Sequence, residues 1–446
     1  MSEIKNRPTG HNKGERIMKF THWTIGIIGA IASASSAAPD FHDIDAQTAP
    51  WRDHLYAGEP ATIAFIGDSI SYRNDTWIWF ARDLLRDRFG DAGVGYLAFH
   101  PGFNAAPAGQ NGPQPGLAFQ WSNPGGTAIQ FAQTNGPRDP NRGALSPDGL
   151  WTVISGAGKV WMTAPGTDAT IYFVTSPDGG TLRITIDGAQ VAALDAHSDS
   201  PAIASHAFSL GDGATTTFAV ESVTGEPIQV NGVDIRNGAG GHLGIRISRG
   251  GCGPADFLVA ADAEVASELA ALSPDLAIVM LDWEYNAPGE PAAFADDLGA
   301  LMAFYEAAMP STKFILASHH PYSPAMEQEA EIVYQTALAR GHGFLNLYTT
   351  WPNAAAMQGA GLLVDNIHLS AVGGDWFARY YLDALLGPEC TGDLTNDRRV
   401  DVDDLNVVLS NWASAGAGWS GGDADQDGDV DVDDLNAVLS AWACQG

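Results

Sequence analysis

The sequence feature that most constrains the fold is an apolar segment that runs directly into a short turn of small residues. Residues 62–66 are typical of a buried strand, and Gly67, Asp68 and Ser69 follow immediately. Beyond the turn, apolar residues recur at helical spacing over residues 77–85. This order predicts an α/β protein with Ser69 at the carboxyl end of a strand, where open α/β sheets bind their ligands. An ordinary turn between a strand and a helix would give the same local pattern.

A second informative segment lies far along the chain, where Asp365 and His368 precede the pattern of an amphipathic helix. A serine hydroxyl attacks carbonyl groups poorly unless an imidazole accepts its proton and a carboxylate holds that imidazole in the correct tautomer. The three-residue spacing allows one short loop to present both side chains to the same cleft. We therefore assign Ser69 as candidate nucleophile, His368 as base and Asp365 as its orienting acid. A surface histidine beside an incidental aspartate is the alternative.

The Gly67-Asp68-Ser69 turn and the Asp365-x-x-His368 segment resemble the two outermost signature blocks of the SGNH (GDSL-type) hydrolases. The Gly-x-Ser-x-Gly turn of the α/β-hydrolases is absent, because position 71 is serine. The resemblance implies a three-layer α/β/α sandwich with a parallel sheet and a serine esterase mechanism. It also implies an oxyanion hole built from the serine amide, a glycine amide and an asparagine side chain.

The first two oxyanion donors are expected from the amide of Ser69 and from a glycine-rich segment. Residues 248–253 resemble the second block of the family, with Gly253 as the first choice of donor and Gly251 as the next. Glycine-rich turns are also common without any such function.

The block that should supply the asparagine departs from the family pattern. After a predicted strand at residues 275–281, the family usually continues Gly-x-Asn-Asp, whereas this chain runs from Asp282 to Asn286 without that motif. In ungapped register Glu284 occupies the asparagine position, but an ionised carboxylate accepts hydrogen bonds and cannot donate one. A loop two residues longer would present Asn286 instead. The need for a hydrogen-bond donor favours Asn286, whereas the ungapped register favours Glu284.

The segment between the first two blocks is longer than an SGNH core requires. Residues 101–145 have a loop-like composition, whereas residues 150–239 contain short alternating strands separated by turns, which predicts an inserted β-sandwich domain. The catalytic domain then comprises residues 39–149 and 240–388. Some SGNH enzymes that deacetylate polysaccharides or peptidoglycan carry such an insertion. It would either help to bind a carbohydrate or act as a purely structural flap.

Residues 1–37 have the pattern of a signal peptide. Basic residues extend to Lys19, an apolar run follows, and small residues precede residue 38. The apolar run is shorter than a transmembrane helix requires. We expect an exported protein, secreted or at the cell surface, with no membrane span after cleavage.

The formal net charge of −31 disfavours two classes of partner. Residues 389–446 contain 13 acidic residues and two arginines, a net of −11, which leaves −20 on the rest of the chain. Such a surface repels nucleic-acid phosphates and anionic membranes, so neither is expected as a partner.

The acidic tail contains the strongest internal repeat, because residues 400–412 recur as residues 430–442. Acidic residues of the second copy occupy positions 1, 3, 5, 7, 9 and 12 of a calcium loop, and Gly428 fills the sixth position, where the backbone turns sharply. An acidic solvated turn is the alternative. The candidate calcium ligands are Asp423, Asp425, Asp427, Asp429, Asp431 and Asp434.

The first copy of the loop is degraded. Thr395 stands at position 3 and Arg398 at position 6, so calcium is expected to bind there weakly or not at all. The doublet, residues 389–446, resembles a type I dockerin, which implies a cohesin-like or cell-surface scaffold partner. Calcium would be structural, and catalysis needs no cofactor. The remaining candidate ligands of the first loop are Asp393, Asp397, Asp401 and Asp404.

The chain contains three cysteines. Cys390 and Cys444 bracket the doublet and are expected to form a disulfide. Cys252 is then unpaired, and a small buried residue is the commoner role for such a cysteine than a reactive thiol.

Two adjacent histidines, His319 and His320, follow a predicted strand of the catalytic domain. Either could line the substrate pocket, although a structural histidine is the commoner outcome. Metal ligation is disfavoured, since no third ligand lies at a useful spacing.

Together these features predict a secreted serine esterase that removes small acyl groups, especially acetyl groups, from a polysaccharide or glycan. Two alternatives remain. An acyltransferase would use the same triad with a sugar hydroxyl as acceptor. A weakly active glycan-binding surface protein, anchored by its dockerin-like tail, would explain the unusual sequence of residues 282–286.

Overall fold

The structure is a computed structural model that describes residues 38–72, 77–101, 117–133, 146–282, 290–386, 392–395, 399–415, 421–425 and 428–444. The strands are β1 Phe41–His42, β2 Pro60–Gly67, β3 Asp91–Ala98, β4 Ala118–Ser122, β5 Ile129–Gln133, β6 Leu150–Ile154, β7 Lys159–Pro165, β8 Asp168–Thr175, β9 Thr181–Ile186, β10 Ala189–Asp195, β11 Ala202–Ser209, β12 Thr215–Ser222, β13 Ile228–Arg236, β14 Gly241–Ser248, β15 Leu276–Met280, β16 Lys313–Ala317 and β17 Gly343–Leu345. The helices are α1 Ile44–Tyr56, α2 Ser69–Tyr72, α3 Trp77–Phe89, α4 Pro254–Leu258, α5 Ala263–Leu272, α6 Pro291–Ala308, α7 Met326–Arg340, α8 Ala354–Gly359, α9 Ala371–Leu386, α10 Val402–Ser410 and α11 Val432–Ser440.

The α/β part of the chain is built on parallel strands that include, in order, β17, β16, β15, β2 and β14. Every residue of β15 and nearly every residue of β2 is buried, as expected for central parallel strands that are covered on both faces. Helices α1, α3 and α9 pack on one face, and α5, α6 and α7 pack on the other. The chain therefore has the mixed α/β architecture, with a largely parallel central sheet, that its sequence predicts.

The sheet does not end at β14. Strand β3 pairs parallel with β14, and β13 then pairs antiparallel with β3, with β6 and with β8. Gly95 allows the close approach of β3 to β14, because a Cβ atom there would lie only 1.7 Å from the Gly244 carbonyl oxygen. The extended sheet is thus continuous from the parallel strands into the β-rich region.

A second sheet, in the order β10, β9, β12, β7 and β4, packs against this extension. Apolar side chains from both sheets form a common core that includes Phe218, Val230 and Ile184. Strands β4 and β5 precede the expected domain boundary at residue 150, yet they pair with β7 and β6. The face-to-face sheets therefore include strands from before residue 150 as well as from residues 150–239.

The tail has a small apolar core of its own, to which Val408 and Val438 contribute from α10 and α11. The two repeats exchange backbone hydrogen bonds: the Ala443 amide donates to the Val400 carbonyl, and the Ala413 amide donates to the Val430 carbonyl. Each helix begins with an aspartate capping box. The sequence repeat is therefore also a structural repeat.

Cys252 is a buried free thiol and Cys444 is disulfide-bonded, whereas Cys390, its predicted partner, lies outside the described residues. The predicted signal peptide, residues 1–37, also lies outside them. Among the described residues, no helix is both long enough and apolar enough to span a membrane.

Candidate active site

Ser69 lies where the central strand β2 gives way to the short helix α2. The preceding residue, Asp68, is buried, and its Oδ1 accepts a hydrogen bond from the Ile70 amide at 2.8 Å. Gly67 is required at the strand end, because a Cβ atom there would lie 2.9 Å from the Met280 carbonyl oxygen of the neighbouring strand. The turn is therefore fixed by close backbone packing and by a buried carboxylate.

The structure brings His368 and Asp365 to Ser69. The Nε2 atom of His368 lies 3.1 Å from Ser69 Oγ, and its Nδ1 atom lies 2.8 Å from Asp365 Oδ2. The other carboxylate oxygen, Oδ1, accepts from the amides of Ile367 and His368 at 2.8 and 2.7 Å. The three residues selected from the two sequence blocks thus form one continuous hydrogen-bonded chain.

The loop that contains Asp365 and His368 lies at the surface. The Asp365 side chain is 52% exposed and that of His368 is 27% exposed. Although desolvation opposes ionisation, hydrogen bonds from the His368 amide and ring and from the Ile367 amide lower the pKa of Asp365 to about 2. The carboxylate is therefore ionised at neutral pH. It accepts the Nδ1 proton of His368 and leaves the Nε2 lone pair facing the Ser69 hydroxyl.

The amide of the predicted glycine donor already makes a hydrogen bond. The Gly253 amide donates to Asp256 Oδ2 at 2.9 Å as part of the capping box of α4, and Gly253 is buried. The amide of Gly253 thus already has an acceptor, and its role as oxyanion donor stays a prediction. Gly251, the second choice, adopts a left-handed backbone conformation with φ of 67°.

Gly250 lies closest to the nucleophile within this block. A Cβ atom at Gly250 would be 3.7 Å from Ser69 Cβ, and the residue is exposed. Within the part of the chain that the structure describes, no group accepts a hydrogen bond from its amide. The sequence analysis named this block but did not name Gly250 within it. Glu284 and Asn286 lie outside the described residues.

A buried network that the sequence did not reveal lies behind Ser69. Asp68 Oδ2 is 2.7 Å from His319 Nε2, and His319 Nδ1 is 2.7 Å from Glu329 Oε1. All three side chains are almost fully buried. Although desolvation lowers the pKa of His319, the charges of Glu329 and Asp68 outweigh it and raise that pKa well above its ordinary value. The raised pKa favours a protonated ring between the two carboxyl groups, although burial also raises the pKa of Glu329.

His320 is buried as well and contacts the other half of the site. Its Nε2 atom donates to the Ile367 carbonyl oxygen at 2.8 Å. Burial first, and the positive charge of His319 second, lower the pKa of His320 to about 3, so this ring is neutral. Neither histidine is exposed to a substrate pocket. The only local signal for them was their position after a predicted strand.

The candidate calcium loop of the second repeat gathers its carboxylates around Asp434. The groups Asp423, Asp425 and Asp434, and Asp429, Asp431 and Asp434, each hold oxygen atoms within 4.8 Å of one another. These are all hard oxygen donors, which suits Ca²⁺. Asp427 lies outside the described residues.

The first loop is organised by Asp404, which accepts from the amides of Thr395 and Asp401, each at 2.9 Å. Asp393 is buried beside it. Asp397 and Arg398 lie outside the described residues. Among those that are described, this loop contains no group of three acidic ligands as close as those of the second loop.

No protein-family model matches the sequence, and no curated protein matches it. Among solved structures, a peptidoglycan O-acetylesterase matches with 17% identity and a TM-score of 0.62, covering 78% of this chain and 98% of that chain. The two proteins share a fold.

Two further solved structures match less well. One is a salicylyl-acyltransferase from a tetracycline biosynthetic pathway, with 13% identity, coverage of 60% and 96%, and a TM-score of 0.26. The other is an acetyl xylan esterase from the rumen bacterium Butyrivibrio proteoclasticus, with 13% identity, coverage of 61% and 99%, and a TM-score of 0.24. Scores this low carry no argument about this chain.

Proposed function

We propose that this protein is a serine esterase of the SGNH (GDSL) type that removes O-acetyl groups from a polysaccharide or glycan. The observation that carries the proposal is the hydrogen-bonded chain from Asp365 through His368 to Ser69. The fold shared with a peptidoglycan O-acetylesterase supports an ester of a glycan as the substrate class. The resemblance of the two sequence blocks to the SGNH family supports the same assignment.

In the proposed reaction, Ser69 Oγ attacks the ester carbonyl while His368 Nε2 accepts its proton. The protonated His368 is stabilised by Asp365, whose low pKa keeps it ionised. The bond from the carbonyl carbon to the sugar oxygen then breaks, His368 gives its proton to that oxygen so that the sugar leaves as an alcohol, and the acyl group remains on Ser69 as an ester. In the second half, His368 removes a proton from water as the water attacks the acyl-enzyme. The bond from the acyl carbon to Ser69 Oγ then breaks, His368 returns the proton to Oγ, and acetate leaves.

The negative charge on the tetrahedral intermediate needs donors near Ser69. We assign the amides of Ser69 and Gly250 to this role, because Gly250 adjoins Ser69 and the amide of Gly253 already donates to Asp256. An asparagine donor from the loop that contains Asn286 would be the third. In a serine protease, removing one such donor lowers kcat by about 10²–10³-fold.

The test of the enzymatic proposal compares the wild type with Ser69→Ala on 4-nitrophenyl acetate. We expect kcat/KM to fall by at least about 10³-fold, because no other group replaces the nucleophile. Ser71→Ala, a neighbouring buried serine, is the matched control and should retain most of the activity. Equal rates for the wild type and Ser69→Ala would instead support the weakly active binding protein.

Acetate release from acetylated xylan, pectin and peptidoglycan would identify the substrate. An added free glycan in the same assay separates hydrolase from acyltransferase. Formation of acetylated acceptor at the expense of free acetate would favour the acyltransferase.

We further propose that the second loop of the tail binds one structural Ca²⁺. Calorimetric titration of the full chain should show one strong site, and Asp434→Ala should abolish it because Asp434 belongs to both carboxylate groups. Asp433→Ala is the matched control, since this exposed neighbour is not at a ligand position. No heat with the wild type would contradict the assignment, and a second, weaker site would be assigned to the first loop.

The exposed apolar residues of the tail support a docking role for it, because the two repeats carry them at equivalent positions. We propose a cohesin-like module as the partner. Its binding, measured by surface plasmon resonance with calcium, should be lost in Trp412→Ala/Trp442→Ala. Binding by no cohesin module, or full retention in the double variant, would contradict this. The exposed residues are Val402, Leu409, Trp412, Val432, Leu439 and Trp442.

We also propose that the protein is exported and that residues 1–37 are removed. Mass spectrometry of the culture medium should then find a chain that begins near residue 38. An intact N terminus in the cell fraction alone would contradict export.

A further inference from the structure

Two adjacent histidines after β16 contact the two separate halves of the proposed catalytic group. We propose that His319 and His320 are positioning residues that together set the distance between Ser69 Oγ and His368 Nε2. His319 holds the nucleophile turn, and His320 holds the loop of the catalytic base. The inference rests on the proposed function, because it explains how the same three residues are kept in reach of one another.

The first contact runs from His319 to the turn that carries Ser69. His319 Nε2 is 2.7 Å from Asp68 Oδ2, while Asp68 Oδ1 accepts from the Ile70 amide, directly after the nucleophile. Asp68 Oδ2 also accepts from the Asp282 amide at 3.2 Å. One buried carboxylate thus ties the ends of β2 and β15 to His319, two residues beyond the end of β16.

His319 is itself held from the opposite side by α7. Glu329 Oε1 accepts from the His319 backbone amide at 3.0 Å and contacts its Nδ1 atom at 2.7 Å. A buried ion pair is rigid when its remaining hydrogen bonds are satisfied, and removing one partner leaves a costly unpaired charge. A shift of Asp68 would therefore break its contact with a ring that Glu329 holds in place from the other side.

The second contact runs from His320 to the loop that carries the base. The Ile367 carbonyl accepts from His320 Nε2 at 2.8 Å, and Ile367 immediately precedes His368. The His320 ring packs edge-on against Phe377 of α9 and against Tyr322, with centroids 5.5 Å apart in both cases. The ring is thus fixed by packing on two sides while it holds the exposed loop in place.

Consecutive residues have a fixed separation, so the two contacts cannot drift apart. Ser69 and His368 are 299 residues apart in sequence and lie on different elements, with only one hydrogen bond between their side chains. A misplacement of about 1 Å in a reacting group can cost about 10²-fold in rate. The histidine pair supplies the constraint that the exposed Asp365-His368 loop lacks on its own.

The first test replaces His319 by glutamine, which cannot contact both carboxylates. We expect His319→Gln to lower kcat by about 10–100-fold while KM changes by less than about twofold, because binding contacts remain and alignment is lost. The rate at which a fluorophosphonate labels Ser69 should fall in parallel. The matched control is His342→Gln, which breaks an equally short histidine contact to Glu306, 2.7 Å long, before β17. His342→Gln should leave kcat and the fluorophosphonate labelling rate unchanged.

If His319→Gln does not fold, Glu329→Gln takes its place, with Glu306→Gln as its control. Glutamine at position 329 keeps the shape and an acceptor for His319 but removes the charge. The same loss of kcat and of labelling rate is expected, to a smaller extent.

The second test separates the hydrogen bond of His320 from its volume. His320→Leu removes the donor to the Ile367 carbonyl and should lower kcat and the labelling rate, whereas His320→Gln retains a donor and should restore much of both. A purely structural histidine would give the two variants equal activity per folded molecule.

The outcomes also separate this inference from the proposed function. The positioning role alone would be overturned if Ser69→Ala were inactive while the histidine and glutamate variants kept full activity. Those variants are His319→Gln, Glu329→Gln and His320→Leu. A wild type that neither turns over esters nor reacts with the fluorophosphonate at Ser69 would overturn both.

Discussion

Two aspartate–histidine pairs flank Ser69, and they differ mainly in their surroundings. The Asp365–His368 pair is 2.8 Å long with side chains 52% and 27% exposed, whereas the Asp68–His319 pair is 2.7 Å long with side chains 4% and 1% exposed. The first faces the Ser69 hydroxyl, and the second faces another carboxylate, Glu329. The same two side-chain types at nearly the same distance are therefore placed in opposite environments.

The third partner decides what each histidine can do. His368 has the Ser69 hydroxyl on its outer nitrogen and is partly exposed, so in the proposed reaction a proton can arrive and leave during each turnover. His319 has carboxylates on both nitrogens and no exposed edge, so its proton stays and the ring serves as a bridge. An Asp–His contact thus indicates catalysis only when the other ring nitrogen of the histidine faces a reactive group.

The largest effect on rate is expected at the exposed pair. Asp365→Asn should lower kcat by about 10²–10⁴-fold, because an amide can stabilise the wrong imidazole tautomer and cannot stabilise the imidazolium. The free energy of unfolding should change by less than about 0.5 kcal/mol, as for most exposed positions. Steady-state kinetics and urea unfolding check both. The control is Asp375→Asn, which removes a partly exposed carboxylate of α9 and should leave kcat unchanged. A wild-type rate for Asp365→Asn would refute the orienting role of Asp365.

The buried pair should respond mainly in stability. Asp68→Asn places a donor against the His319 ring and the Asp282 amide, and breaking a buried ion pair costs about 3–5 kcal/mol. Urea unfolding should show this loss, together with a fall in kcat that is smaller than for Asp365→Asn. Equal stability of Asp68→Asn and Asp365→Asn would remove the distinction between the two pairs.

The two pairs also differ in how far the sequence predicts them. Ser69 follows a recognisable buried strand, and the spacing of Asp365 and His368 lets one loop present both, so local patterns suffice for these residues. Their meeting was inferred from chemistry and from the resemblance to a family. The α/β class was equally accessible, because buried parallel strands give continuous apolar runs.

The buried pair gives no comparable signal, because its partners come from three elements and each residue taken alone is ordinary. Asp68 reads as part of a turn and Glu329 as a helix residue; only the fold places them on His319. The same limit applies to the proposed glycine donor, since the sequence marks residues 248–253 as a turn but does not show which amide in that turn is free. It also explains why the pairing of β13 with β3 was not foreseen, as register between distant strands is a property of the whole sheet.

The smallest effect concerns stability at alkaline pH. The pKa of His319 is raised above its ordinary value of 6.5 in the folded chain, so its contribution is fully present below about pH 6.5 and is lost as pH rises through the folded pKa. The groups that face it from the packed elements are Asp68, Glu329, Tyr322, Asp282 and its neighbour His320. Burial raises the pKa of Tyr322 above its ordinary range and lowers that of His320 to about 3. Both groups therefore also change stability with pH, through their unfolded-state titrations near pH 10 and pH 6.5, so the contribution of His319 is measured as a difference between the wild type and a variant that keeps both groups.

Removing one of the two carboxylates should move this loss to lower pH. Glu329→Gln leaves Asp68 as the only anion in contact with His319, so the proton is held less tightly and the alkaline decline in Tm should begin earlier than in the wild type. Thermal unfolding between about pH 6 and pH 10 measures the pH at which the decline in Tm begins. Glu306→Gln is the control, because burial lowers the pKa of His342 despite its contact with Glu306, and that pair has no alkaline loss of this kind. Superimposable curves for Glu329→Gln and the wild type would mean that His319 is not an imidazolium, and the buried pair would then be an ordinary neutral hydrogen bond.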